Sequence, residues 1–150
     1  HMKVKELMEQ HTASVTPEST YEEAARILYS NDVSGVPVID SQEKVVGFVS
    51  EKDIVRILYP WYRSFYESPE SYTDMEARES KAGEIRNTKV EVFMKRNILT
   101  VSPEDQIMKA CSVMLAHDIN RLPVVESGKV VGMVSRHSIY KVILKKNFGL

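Results

Sequence analysis

The stretch Gly47-Phe48-Val49-Ser50-Glu51-Lys52-Asp53 carries the most chemistry in the chain. A β-rich run gives way there to a helical segment that starts at Ser50. A helix N-terminus offers N–H groups and partial positive charge. With the Ser50 hydroxyl and the Lys52 cation beside it, this is a natural seat for phosphate. Asp53, at the rim of such a seat, can accept hydrogen bonds from both hydroxyls of a ribose. The same spacing has a plainer use, because Ser50 and Asp53 also fit a capping box in which the carboxylate completes the helix start. A matching stretch, Gly132-Met133-Val134-Ser135-Arg136-His137-Ser138, has Ser138 in place of the acid, so the two seats are not equivalent.

Other chemistry is thin. No strand-to-helix glycine fingerprint or P-loop pattern occurs. His11, His117 and His137 are scattered, and no metal site is expected from them. Cys111 lies on an apolar helical stripe and reads as inert packing. Without paired carboxylates in a catalytic setting or a Gly-x-Ser-x-Gly elbow, we expect neither an enzyme nor a catalytic cofactor. The 150 residues carry a formal net charge of −1 and a pI near 6.5, which gives no basic footprint for duplex nucleic acid. Apolar runs are strand-sized, so no membrane span is expected. No signal-peptide pattern opens the chain, and His1-Met2 reads as a cloning remnant. The single cysteine fits a reducing cytoplasm, the expected location.

The elements that must position these residues occur twice. Met8, Val15, Pro17, Glu18, Ala24, Asp32, Pro37 and Val38 return 86 residues later as Met94, Val101, Pro103, Glu104, Ala110, Asp118, Pro123 and Val124. The register then slips by one in a turn, and Lys44, Val45, Val46, Gly47, Val49, Ser50 and Ile54 return as Lys129, Val130, Val131, Gly132, Val134, Ser135 and Ile139. We read an internal duplication, with repeats over 3–59 and 89–145 and an unmatched segment over 60–88. Each repeat predicts a short N-terminal turn, an extended stretch, a helix, two strands and a second helix. Tyr21, Ala24, Ala25, Leu28 and Tyr29 form one apolar helical stripe; Ile107, Ala110, Cys111, Met114 and Leu115 form the other. Ser19 with Glu22, or Thr20 with Glu23, offers a capping box. Pro37 and Pro123 are expected at a strand start or edge. The unmatched segment opens with Tyr59, Trp61, Tyr62, Phe65 and Tyr66, read as a packing or dimer-interface helix, with a lid or docking face as the alternative. It closes with a charged stretch in which Asp74 and Arg78 are spaced for a helical pair.

The doubled order of Ser/Thr-Pro, amphipathic helix, x-Pro-Val-Val/Ile-Asp/Glu, Gly-x-Val-Ser and then Asp or Ser resembles a pair of CBS domains (the module named after cystathionine β-synthase). The likeness covers about three quarters of the chain. It implies an α+β tandem pair: two βαββα units under pseudo-twofold symmetry, with small sheets side by side and two clefts between them. Family members bind adenosine-containing ligands in such clefts. The resemblance places the ribose acid on Asp53 and the preceding hydroxyl on Ser50, near Lys52. These face Thr100, Ile119, Asn120, Arg121, Leu122 and Pro123 of the second repeat. Arg121 falls where some relatives place a phosphate contact; the plain alternative is a solvated charge. The second cleft would use Ser14, Val33, Ser34 and Pro37 with Ser135, His137 and Ser138, and it has Gly35 where the first has Arg121.

The expected function is therefore a non-catalytic regulatory module. It would bind AMP, ADP or ATP, associate as a homodimer, and signal to a regulated protein acting in trans. The alternatives are an S-adenosylmethionine sensor, or a dimeric interaction scaffold with degenerate clefts.

Overall fold

Thr20 and Glu23 form the reciprocal cap that opens the first helix: the Glu23 N–H donates to Thr20 Oγ1 at 3.2 Å, and the Thr20 N–H donates to the Glu23 carboxylate at 3.2 Å. Helix α1 (Tyr21–Asn31) ends at Asp32, which adopts the left-handed conformation at φ 50°. Helix α5 (Ile107–His117) ends the same way at Asp118, φ 51°. Aspartate tolerates that region better than most side chains, so both repeats stop their first helix by one device. A computed structural model describes residues 1–67 and 75–150, with side chains at all of these except 61, 62, 64–66 and 75–79.

After α1 come β1 (Gly35–Ile39), β2 (Val45–Ser50) and α2 (Glu51–Glu67). The second repeat gives β3 (Arg121–Glu126), β4 (Lys129–Ser135) and α6 (Arg136–Phe148). Between the repeats lie α3 (Met75–Asn87) and the single turn α4 (Val90–Phe93). Helix α2 runs past the expected repeat boundary and through Pro60 to Glu67, because one proline removes only one rung of a long helix. Tyr59 on this helix is 58 % exposed. The side chains of Trp61, Tyr62, Phe65 and Tyr66, and the Asp74–Arg78 pair, lie outside the described residues.

Each sheet is an antiparallel pair, β1 with β2 and β3 with β4. The prolines sit third in their strands rather than first. Pro37 stands opposite Phe48, whose N–H and C=O both turn outward to Lys95, so the ladder asks nothing of the proline nitrogen. Pro123 stands opposite Met133 in the same way, and Met133 bonds outward to Glu9.

These outward bonds show that the repeats exchange their leading segments. Residues at the front of repeat one serve repeat two: the N–H groups of Val4 and Lys5 donate to Asp105 and Pro103, and Glu9 bridges to Met133. Residues at the front of repeat two serve repeat one: Val90 and Glu91 donate to Ser19 and Pro17, and Lys95 bridges to Phe48. The cores follow suit. Val4 is fully buried with Val101, Met114, Leu122, Val124 and Ile139, while Val90 and Met94 are buried with Val15, Leu28, Val36 and Val49. Gly132 permits the close approach, since a Cβ there would stand 2.7 Å from the Glu9 carbonyl oxygen. The hairpin tips also meet, with Lys44 Nζ donating to the Ser127 carbonyl at 2.8 Å and Lys129 pairing with Glu43 at 3.1 Å.

The last residue of each expected apolar stripe faces outward. Tyr29 is 89 % and Leu115 66 % exposed, and they are repeat equivalents. Val55 and Tyr140, also equivalents, are 59 % and 55 % exposed on the second helices.

Candidate functional site

Leu122 and Val124 turn into the core of repeat two, so Arg121 and Pro123, on the other face of β3, point between the repeats. The loop from α5 into β3 meets the β2–α2 junction of repeat one there, around a cavity of about 260 Å³. Of the residues named from the sequence, Ser50, Lys52, Ile119, Asn120, Arg121 and Pro123 line it. Phe48, Glu51, Lys95, Ile98, His117 and Asp118 line it too and were not anticipated. The Lys95–Leu99 stretch arrives through the segment exchange, which no local pattern signals. Phe48 and Glu51, by contrast, stand inside the motif itself.

Asp53 and Thr100 are not among the lining residues. The Asp53 side chain is fully buried. Its Oδ2 accepts from the Ser50 N–H at 2.9 Å and from Ser50 Oγ at 3.0 Å, and its Oδ1 pairs with Arg56. Both oxygens are thus engaged, Oδ2 in the helix cap that was the plainer of the two uses its spacing allowed, and Oδ1 in an ion pair. The phosphate seat is narrower than expected as well. The Glu51 N–H donates to the Ser34 carbonyl at 2.9 Å and the Asp53 N–H to Ser50 Oγ at 3.4 Å, so two of the first three helical N–H groups are taken.

The cations are arranged more tellingly. Arg121 is 8 % exposed, and its Nε, fully buried, has no hydrogen-bond partner among the described residues. Its nearest counter-charge is Glu9, with Nη1 3.9 Å from Oε1, too long for a hydrogen bond. Burial pushes the guanidinium below its ordinary value, Glu9 pulling the other way. A buried cation left this way costs free energy unless a counter-ion completes it. At the rim, Asp118 pairs with Lys52 of the other repeat at 3.4 Å and with Arg136 at 3.5 Å. Lys52 first, then Arg136, hold the Asp118 carboxyl below the usual carboxylate range.

A second cavity of about 750 Å³ lies between the α1–β1 corner and the β4–α6 junction. Val33, Ser34, Ser135 and His137 line it as expected; Ser14, Pro37 and Ser138 do not. Ser14 is exposed, Pro37 is buried, and Ser138 is held at the cap, where Ser135 Oγ donates to its hydroxyl at 2.8 Å and accepts from its N–H at 3.1 Å. Asp32, Asn120, Arg121, Arg136 and Tyr140 join the lining, so Arg121 borders both cavities. Among the described residues no cluster of potential metal ligands occurs, and no helix is long and apolar enough to cross a membrane.

The sequence profile of the CBS domain matches residues 4–60 and again 89–145. The chain belongs to the CBS domain family. As a CBS pair it is 26 % identical over 143 residues to a CBS domain-containing protein of Dictyostelium discoideum, a match covering 95 % of this chain and 91 % of that one. It is also 26 % identical over 144 residues to the homoserine O-acetyltransferase of Methanohalobium evestigatum; it spans 95 % of its own length there but only 24 % of the enzyme's. Among solved structures, the CBS domain pair of protein MJ0100, in complex with 5′-methylthioadenosine and S-adenosyl-L-methionine, superposes with a TM-score of 0.72 at 22 % identity, covering 97 % of this chain and 98 % of that one. CBSX2 in complex with AMP superposes with a TM-score of 0.73 at 23 % identity, again covering 97 % and 98 %.

Proposed function

We propose that this CBS pair is a regulatory module that takes up an adenine nucleotide of the AMP, ADP or ATP type between its repeats and signals to a partner protein. CBS pairs are in general regulatory rather than catalytic, and relatives of the same fold have been solved with AMP or with S-adenosylmethionine and methylthioadenosine. The observation that carries the reading is the buried, under-partnered Arg121 beside a cavity of about 260 Å³. A phosphate supplies the counter-ion this guanidinium lacks. Ile98, Ile119 and Pro123 offer an apolar wall for a purine, and Ser50, Lys52 and Asn120 supply polar contacts. Asp53 reaches the sugar by exchanging Arg56, whose side chain is 61 % exposed, for the two ribose hydroxyls.

Charge favours a nucleotide over S-adenosylmethionine: Lys52, Lys95 and Arg121 outweigh Glu51 and Asp118 in the lining, and a sulfonium cation meets that balance poorly. Binding draws contacts from both repeats and so shifts their relative packing, which a partner reads. Copies of the module associate through the helical faces that carry Tyr29 and Val55 on one repeat and Leu115 and Tyr140 on the other.

Calorimetric titration of AMP, ADP, ATP and S-adenosylmethionine tests the reading. We expect a nucleotide to bind and Arg121→Met to weaken it by about 1–3 kcal/mol, the usual cost of losing a charged hydrogen-bond partner. Absence of binding by all four leaves the interaction scaffold as the better account.

A further inference from the structure

Pseudo-twofold symmetry calls for a buried cation beside each cleft, and the molecule has only one such position filled. The repeat equivalent of Arg121 is Gly35. The Phe48 ring occupies the space a side chain at residue 35 would need. Arg121 meanwhile contributes to the walls of both cavities, the one of about 260 Å³ and the one of about 750 Å³. It is nine-tenths buried, its Nε is without a partner among the described residues, and Glu9 stands 3.9 Å away. Of the other cations near the two mouths, Lys52 on the first cleft and Arg136 on the second both pair with Asp118, and Lys95 borders the first cleft alone.

We infer that Arg121 is one anion anchor shared by both clefts, so that a phosphate held in one lowers the affinity of the other for a second phosphate. The inference rests on the nucleotide reading above and adds a regulation to it. One guanidinium neutralises one anion. When its donors turn to a phosphate on the Ser50 side, a phosphate on the Ser135 side is left facing Arg136, already engaged by Asp118 and Asn120. Because Arg121 borders both cavities, the second phosphate also stands near the first, where partly buried charges are screened less than exposed ones. A neutral nucleoside makes no demand on Arg121 and carries no such restriction. The clefts are therefore independent toward nucleosides and exclusive toward nucleotides.

Equilibrium dialysis of the full chain against adenosine and against AMP decides the matter. The expected result is two equivalents of adenosine per chain, but one of AMP, with a second AMP at least tenfold weaker. In Arg121→Met the first AMP weakens about tenfold or more and the gap between first and second closes. Two AMP equivalents of equal affinity in the wild type overturn the sharing while leaving the nucleotide reading in place. A single adenosine equivalent overturns it too, because no second cleft is then present to compete. Failure of both ligands to bind removes the inference together with the reading beneath it. The wild-type comparison requires no substitution, so a poorly folding variant does not shield the idea.

Discussion

Asp53 has both carboxylate oxygens occupied, one by Ser50 and one by Arg56, within a helix cap closed to solvent. A sugar diol competes with the Arg56 pairing, and Arg56, lying largely in solvent, is the more easily displaced partner. Arg56→Ala is therefore expected to raise AMP affinity, by roughly 0.5–1.5 kcal/mol, the net worth of a hydrogen bond released for the ligand. Calorimetry on that variant reads the change directly; an unaltered constant means that Asp53 acts only as a cap. The identity of this residue was legible in the sequence and its orientation was not. Cap and ligand contact ask for the same residue at the same helical position, so spacing alone cannot separate them. Ser50 and Lys52 stand at a strand-to-helix junction that the sequence marks by itself, whereas the Ile119–Pro123 loop came only from the likeness to CBS pairs. The likeness marked Arg121 as a phosphate contact, and its burial and unpartnered Nε set it apart from the solvated charge that was the alternative.

At the level of elements, the helices and hairpins follow from stripes, caps and turn residues, and Thr20, Asp32 and Asp118 behave as their chemistry dictates. The exchange of leading segments was not legible. Val4 and Val90 look like unremarkable residues of short turns, and nothing local states which sheet they will join. Pro60 marks the edge of the repeated pattern in the sequence, yet α2 continues through it to Glu67. Gly132→Ala probes the exchange, because the new methyl meets the Glu9 backbone rather than a yielding side chain. We expect a loss of about 1–3 kcal/mol in a denaturant titration, as for other overpacked sites. The same segment is clamped by Lys3 and Lys5 on Glu104, at 2.6 and 2.8 Å, which hold the Glu104 carboxyl down at about 2. A carboxyl depressed on folding stabilises above its unfolded value near 4.5 and loses that contribution as pH falls toward 2. Thermal midpoints of wild type and Glu104→Gln should thus differ by a constant above pH 4.5 and converge through that window. The difference will be small, because the pair is exposed. A gap unchanged down to pH 2 counts against the clamp.

For the whole molecule, the two outward helical faces bear equivalent apolar residues, and a face so placed needs cover. Leu115→Glu, at a side chain 66 % exposed, should leave the monomer folded and shift sedimentation from dimer to monomer. A wild-type chain already monomeric at micromolar concentration sinks that proposal. The interlocked leading segments carry a separate consequence for biosynthesis. During synthesis Val4 finds its hydrophobic neighbours only when Leu122 and Ile139 have been translated. The first repeat in turn waits for Val90 and Met94. The first core can therefore close once Met94 has been made, whereas the second keeps Val4 waiting until Ile139 follows, and the leading segment depends on shielding over that interval.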